Sequence, residues 1–148
     1  MTQTFEQLQQ DMKDAMRARD KDRTQALRML VATLKNKRIE LMRDLNEDDI
    51  VEVLATEAKR RREAAEGFRS GGNEVMAAKE EFELELIQTY LPAPLSDDEV
   101  GAMIDAIIAE TGASTKRDMG RVMGQIMPQV KGRFDGGRVK DLVLARLG

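Results

Sequence analysis

Apolar residues recur along this chain at helical rather than alternating spacing, and glycine and proline are sparse between them. The segment from Val100 to Ile108 shows the pattern clearly. Its apolar residues match the i, i+3, i+4, i+7, i+8 template of an amphipathic helix, at Val100, Met103, Ile104, Ile107 and Ile108. The sequence therefore predicts an all-α protein.

Side chains that can cap a helix predict where the first two helices begin. Thr4 with Gln7 forms a potential capping box, which predicts a helix over about 5–19. Asp22, with Gln25 three residues later, predicts the start of the second helix in the same way.

A third helix is predicted to open at Asn46, because Leu45 before it and Ile50 after it can form a hydrophobic staple. It should run to about Phe68, since the Ser-Gly-Gly-Asn cluster at 70–73 supplies turn residues. The apolar pattern then predicts a fourth helix over about residues 74–90.

The proline-containing segment that follows, Leu-Pro-Ala-Pro-Leu, is the best candidate for a domain boundary, because proline disfavours helix before and at its own position. Directly after it, Ser96 and Glu99 form a second potential capping box. We expect a larger N-terminal domain of about four helices over residues 1–91 and a C-terminal three-helix bundle over residues 96–148.

Within the C-terminal bundle, Gly112 is predicted to end the first helix in a left-handed conformation. Thr115 with Asp118 should start the next helix, and Pro128 should end or kink it. A glycine-rich stretch leads into the last helix.

Composition narrows the possible chemistry of the 148 residues. The chain has no Cys, His or Trp and only five aromatic residues. Thiolate nucleophiles, iron–sulfur clusters, thiolate zinc sites and a histidine base are therefore excluded. Too few aromatic residues are present for a base-stacking platform. We expect no catalytic residues, no cofactor and no metal, and a binding module is favoured over an enzyme.

The net charge of −3 conceals opposed blocks. Residues 112–148 carry eight Lys/Arg and three Asp/Glu, whereas residues 74–110 carry one and ten. Such a molecule can present a basic face to a polyanion while remaining acidic overall, although solvated helix faces of alternating charge give the same pattern. No apolar run approaches the ~20 residues that span a bilayer, so we expect no membrane partner and a cytoplasmic location.

Two charged residues interrupt apolar stripes. Arg61 lies near the centre of the stripe on the third helix, and Glu80 lies among apolar residues on the fourth. In a hairpin folded at Gly71–Gly72 they are ten and nine residues from the turn. This spacing predicts a structural ion pair that fixes helix register, with an active-site carboxylate as the less favoured alternative.

The segment 118–133 combines glycines with positive charge. Gly120 and Gly124 share one helix face at a cost of about 1 kcal/mol each relative to Ala, which indicates close approach of another helix or a ligand. Lys131, Gly132 and Arg133 follow that helix. Together with Gly136–Gly137 they could contact phosphate or form a plain turn between helices.

Several ordered motifs resemble the YqeY family of small bacterial proteins over essentially the whole chain. They are Ala15-Met-Arg-Ala-Arg-Asp20, Leu27-Arg-Met-Leu30, Lys79-Glu80 with Glu83-Leu84, Tyr90-Leu-Pro92 and Asp118-Met-Gly-Arg-Val-Met123. That family is similar to the tail domain of GatB, a subunit of the glutamine-dependent amidotransferase that acts on mischarged tRNA.

The resemblance implies a helical fold in two parts and contact with tRNA. It also suggests the label of a carbon–nitrogen ligase with glutamine as amide donor, which we interpret as inherited through homology because no kinase core or amidase device is present. The tail's Gly-x-Val-Met…Lys-Gly pattern is matched by Gly120, Val122, Met123 and the pair Lys131–Gly132.

Our first hypothesis is a non-catalytic, tRNA-associated module whose binding is weak and sensitive to salt. Its predicted nucleic-acid-binding residues are Lys116, Arg117, Gly120, Arg121, Gly124, Lys131, Gly132, Arg133 and Arg138. The alternatives are a protein-interaction adaptor, using a protein partner in tRNA metabolism, and an accessory component of a carbon–nitrogen ligase.

Overall fold

The computed structural model describes residues 2–148, and within that range every regular element is a helix. The all-α prediction is therefore confirmed. The elements are α1 (Gln3–Arg17), α2 (Lys21–Leu41), α3 (Glu47–Ser70), α4 (Glu74–Gln88), α5 (Asp97–Thr111), a short 3-10 helix (Lys116–Asp118), α6 (Met119–Val130) and α7 (Gly136–Leu144). None of these helices is long and apolar enough to cross a membrane.

The chain divides between Leu91 and Pro92 into two compact units. The first unit contains an α1–α2 pair and a long α3–α4 hairpin. Its core is formed by Leu and Ile side chains from all four helices, with Phe5 from α1. Leu8, Leu27, Leu34, Ile50 and Leu54 are among the residues that are completely or almost completely buried.

The second unit packs α5, α6 and α7 around a separate core. The apolar stripe predicted on α5 supplies Val100, Ile104 and Ile107 to this core. Helices α6 and α7 add five buried residues, Val122, Ile126, Val130, Val139 and Val143. Each unit thus buries its own apolar surface, as an independent core requires.

The structure confirms several predicted helix ends. Asn46 caps α3 and forms a reciprocal capping box with Asp49, and Ser96 and Glu99 form another at α5. Gly112 ends α5 with φ = 72°, a left-handed conformation that glycine adopts without strain.

Two predicted caps are wrong. Thr2, not Thr4, caps α1 by accepting a hydrogen bond from the Phe5 N–H. The Thr4 hydroxyl instead donates to the Glu47 carboxylate at 2.8 Å. Asp20, not Asp22, caps α2, because the tight α1–α2 turn leaves Asp20 with an extended backbone.

Pro128 neither ends nor visibly divides its helix, since α6 continues to Val130. Proline has no N–H, so Pro128 cannot donate to the carbonyl of Gly124 four residues earlier. The Gln129 side chain bonds the next carbonyl, that of Gln125, at 3.1 Å.

We expect Asn46→Ala to lower the free energy of unfolding by about 1 kcal/mol, because the cap of α3 loses its side-chain acceptor. Asn36→Ala is the matched control: Asn36 is exposed in the interior of α2, where Ala is the better helix former. Urea unfolding of both variants checks the prediction. Equal losses of stability in the two variants would contradict it.

Candidate nucleic-acid interface

The nine residues predicted to bind nucleic acid all lie in the second unit, in two groups. The first group, before α6 and along its first half, contains Lys116, Arg117, Gly120, Arg121 and Gly124. The second group follows α6 and consists of Lys131, Gly132, Arg133 and Arg138. Gly124 and Lys131, the nearest members in sequence, are seven residues apart, which is about 10.5 Å at the rise of a helix.

In the first group, Gly120 and Gly124 occupy an exposed face of α6. A Cβ atom placed on either glycine would have no other atom within 4 Å. The alternative of another helix against this face is therefore wrong for the residues described here. Neither glycine has a positive φ, so no backbone conformation requires glycine there. If these glycines serve to let another group approach the helix backbone, that group is an external ligand.

Positive side chains flank this glycine face. Lys116 and Arg117 are exposed and, within residues 2–148, have no ion-pair partner. Arg121 is also exposed but donates to Asp118 at 2.8 Å. Two cations without an ion pair, Lys116 and Arg117, therefore precede the glycine face in sequence, and Arg121, which is paired, lies within it.

Asp118 organises the turn before α6. Its carboxylate accepts hydrogen bonds from the backbone N–H groups of Ser114 and Thr115, at 2.9 and 3.2 Å. These bonds, followed by the nearby Arg121, lower the pKa of Asp118 from its usual value near 3.8. An anion of the chain itself therefore occupies these amides, and the exposed cations are the groups left for an external phosphate.

The second group has mainly structural contacts. The Arg133 Nε donates to the Ala93 carbonyl at 3.0 Å, and the Arg133 carbonyl accepts from the Leu95 N–H at 2.8 Å. These bonds hold the proline segment against the turn that follows α6. Gly132 has φ = 74°, which explains the glycine at this position by turn geometry alone.

Arg138 is similarly committed. Its guanidinium pairs with Asp97 and lies 5.1 Å from the centre of the Phe134 ring. The Asp135 carboxylate caps α7 by accepting from the Gly137 N–H at 3.0 Å. Gly136–Gly137 therefore form a capped turn, and of the two alternatives left open by the sequence the geometry favours a plain turn over a phosphate cradle.

The methionines on α6 belong to the core rather than to a partner surface. Met119, Met123 and Met127 are half-buried and pack against the apolar cluster of the second unit. The Met127 methyl group would lie 3.2 Å from a Cβ on Gly136, so a larger residue there would require Met127 to shift slightly.

In the first unit, the structure brings Arg61 and Glu80 together, with Arg61 Nε 3.9 Å from Glu80 Oε2. Two other carboxylates lie closer to the guanidinium. Glu57 Oε2 is 2.6 Å from Arg61 Nη1, and Glu83 Oε2 is 3.1 Å from Arg61 Nε. The guanidinium side chain is only 12% exposed, and Met29 of α2 contacts it through sulfur.

This arrangement, the Arg61 cluster, joins three helices through one buried cation. The sequence offered a signal for Glu57, which precedes Arg61 by four residues on the same helix face. Glu83 was missed because it lies one helical turn beyond the position opposite Arg61 in the hairpin. Among the described residues, no group of three carboxylates is arranged to hold a metal ion.

The class of this protein is defined by its architecture. It is an all-α protein of two compact units, each with its own core, and a proline segment joins them. The family described as Yqey-like protein matches residues 5–147. The chain therefore belongs to the YqeY family, and this part of the sequence interpretation is confirmed.

Curated relatives carry the name "Altered inheritance of mitochondria protein 41, mitochondrial". The protein of Eremothecium gossypii is 35% identical over 112 residues, which cover 74% of this chain and 61% of the relative. That of Kluyveromyces lactis is 32% identical, over 70% of this chain and 57% of the relative. That of Saccharomyces cerevisiae (strain YJM789) is 26% identical, over 82% and 71%. The chain thus spans about three fifths of the first two relatives.

The predicted cytoplasmic location is contradicted by these relatives, which are named as mitochondrial proteins. The prediction rested on the absence of long apolar segments. That property argues against a bilayer span, but it does not distinguish one aqueous compartment from another.

We expect Arg61→Leu to cost about 3–5 kcal/mol, because it leaves three clustered carboxylates without their shared cation. Arg62→Leu, at an exposed position of the same helix, should cost less than about 0.5 kcal/mol. Denaturant unfolding at pH 7 measures both. Equal losses of stability in the two variants would contradict the electrostatic explanation.

The lowered pKa of Asp118 predicts how the second unit responds to acid. Its contribution to stability should be present above about pH 4, the ordinary aspartate pKa, and should be lost as the pH falls through the lower folded-state value. An NMR titration of the Asp118 carboxyl should give a midpoint below 3.8, and Asp118→Asn should flatten the pH dependence of unfolding below pH 4. A midpoint at or above 3.8 would contradict the prediction.

Proposed function

We propose that this chain is a non-catalytic module that binds structured RNA of the tRNA class through the exposed glycine face of α6. The observation that carries the proposal is the combination of Gly120 and Gly124, free of neighbouring atoms, with unpaired Lys116 and Arg117 on the same end of the helix.

The glycines support this proposal because they have no use in the fold. Each costs about 1 kcal/mol of helix stability, and no packing contact within the described residues compensates. A bare helix face lets a ribose–phosphate backbone approach the protein backbone closely. Pro128 adds to this face, because the Gly124 carbonyl lacks its usual helical donor and can accept from a ribose 2′-OH.

The basic side chains supply the second part of the proposal. Lys116 and Arg117 can contact phosphates without first breaking an ion pair, and Arg121 can be shared between Asp118 and a phosphate. Such contacts recognise shape and charge rather than base sequence. The similarity of the family to the tail domain of GatB supports tRNA as the class of RNA, and the absence of His and Cys supports binding rather than catalysis.

Titration of fluorescently labelled, unfractionated tRNA at 50–200 mM salt tests the basic side chains. For Lys116→Gln/Arg117→Gln we expect weaker binding and a log–log salt dependence shallower by about 2, one unit for each lost phosphate contact. The control Lys13→Gln/Lys140→Gln removes the same charge at exposed positions elsewhere. No binding of wild type at 50 mM salt, or equal loss in both variants, would refute the proposal.

The glycine face has its own test, in which stability and binding move in opposite directions. Gly124→Ala should raise the free energy of unfolding by up to about 1 kcal/mol and weaken tRNA binding. Gly67→Ala, at an exposed position of α3 that is equally free of neighbours, should stabilise its unit similarly and leave binding unchanged. Unchanged binding in the Gly124 variant would exclude the glycine face as a contact.

A second candidate function, a protein-interaction adaptor, is favoured by one observation in the acidic segment. Val75 is 81% exposed on α4, and Phe82, seven residues later on the same helix face, is 40% exposed. Capture of one protein partner that is insensitive to ribonuclease and abolished by Val75→Ser/Phe82→Ser would support this function. Loss of the partner on ribonuclease treatment would instead favour RNA binding.

A further inference from the structure

The outward face of α2 in the first unit carries three positive side chains in line, Lys21, Arg28 and Lys35, which we call the α2 row. All three are exposed. Within residues 2–148, none of them has a hydrogen bond or an ion pair. Their sequence spacing is seven residues, so successive members lie about 10.5 Å apart along the helix. The drift of about 20° per seven residues keeps them on one face, in a row about 21 Å long.

The α2 row differs from several other basic groups of this unit in lacking ion pairs, and from the unpaired Lys13, Lys59 and Arg62 in forming a line on one helix face. Lys37 and Arg38, on the same helix, lie 3.4 Å from the carboxylates of Glu40 and Asp44. Arg69 bonds two glutamates, which raise its pKa above the ordinary arginine value. Pairing is thus available to cations at this surface, and the α2 row lacks it.

The composition of α2 explains why the row has no acidic partner. Between Asp22 and Glu40, helix α2 contains five Lys/Arg and no Asp or Glu. Asp22 and Glu40 themselves lie about 120° around the helix from Arg28, the centre of the row. The three cations are about a Debye length apart at 0.1 M salt, so their fields overlap and add. The row contributes no stabilising contact to the fold that would account for it.

The spacing also limits what could bind. The first and third cations are about 21 Å apart along the helix, so the three cannot converge on one phosphate and a small anion does not use the whole row. Gln25 and Ala32, which lie between the cations, offer no bulky apolar group for insertion into lipid. Ile39, 73% exposed, lies only at one end. A straight polyanion with a polar surface fits best.

We propose that the α2 row is a second RNA-binding surface, which contacts several phosphates spaced along an RNA backbone. This inference rests on the proposed function for the class of partner, but it concerns a different unit and different residues. It assigns the first unit a direct part in binding. Gln25 can donate a hydrogen bond to the same backbone, whereas Ala32 keeps the path between Arg28 and Lys35 clear.

The test uses the full chain with labelled, unfractionated tRNA at 50–200 mM salt. The row variant is Lys21→Gln/Arg28→Gln/Lys35→Gln. The matched control is Lys13→Gln/Lys59→Gln/Arg62→Gln, which removes three exposed cations that have no ion pair among the described residues and do not form a row. Circular dichroism melts confirm that both variants fold.

We expect the row variant to make the log–log salt dependence shallower by about 3 and the control to change it by less than 1. Equal changes in the two variants would overturn the proposal, because they would show only diffuse attraction. If wild type fails to bind at 50 mM salt, both this inference and the proposed function fail. If Lys116→Gln/Arg117→Gln weakens binding while the row variant matches its control, only this inference fails.

Two competitors distinguish RNA from other polyanions. Poly-glutamate represents an acidic protein, and vesicles containing 30% phosphatidylserine represent an anionic membrane. At equal concentration of negative charge, we expect tRNA to bind more tightly than either, with a dependence on the α2 row seen for tRNA. Tighter, row-dependent binding to poly-glutamate or to the vesicles would overturn the proposal in favour of that partner.

Discussion

The buried guanidinium of Arg61 is the interaction on which the architecture of the first unit depends. It donates to Glu57 on its own helix and to Glu83 across the hairpin, lies 3.9 Å from Glu80, and contacts Met29 of α2. One cation among three carboxylates cannot slide by a helical turn without stranding charge in a low-dielectric interior. The contact therefore favours one register of α3 and α4, which form the longest hairpin of the fold.

Ion pairing separates the structural basic residues from those that remain for binding. Arg43, Arg69, Arg138 and Arg146 all pair with carboxylates. Such surface pairs contribute little stability individually. An arginine that forms one must nevertheless share or break the pair before it can contact an external anion. Among the described residues, Lys116 and Arg117 before α6 and the three members of the α2 row are exposed cations without an ion pair. Because the two surfaces belong to different units, the net charge of −3 is a poor guide to what this protein can bind.

The glycines fall into two groups. Gly112 and Gly132 have positive φ, so turn geometry explains both. Gly120 and Gly124 lie in ordinary helical conformation on an exposed face of α6. Helix stability alone favours alanine at both positions. The proposed RNA contact gives these two glycines a role that the fold does not give them.

The sequence by itself determined the helical class, the start of α3 at Asn46 and of α5 at Ser96, and membership of the family. These features follow from periodicity, capping residues and ordered motifs, which are all local properties of the chain. The sequence misplaced the caps of α1 and α2, since two candidates lay within two residues and only the path of the turn selects between them. Its assignment of Arg133 and Arg138 to the nucleic-acid-binding residues stays a prediction. Only the tertiary structure paired Arg138 with Asp97, bonded Arg133 to Ala93 and added Glu57 and Glu83 to Arg61. Long side chains pair with groups that lie close in space. The spacing of residues along the sequence does not give these distances.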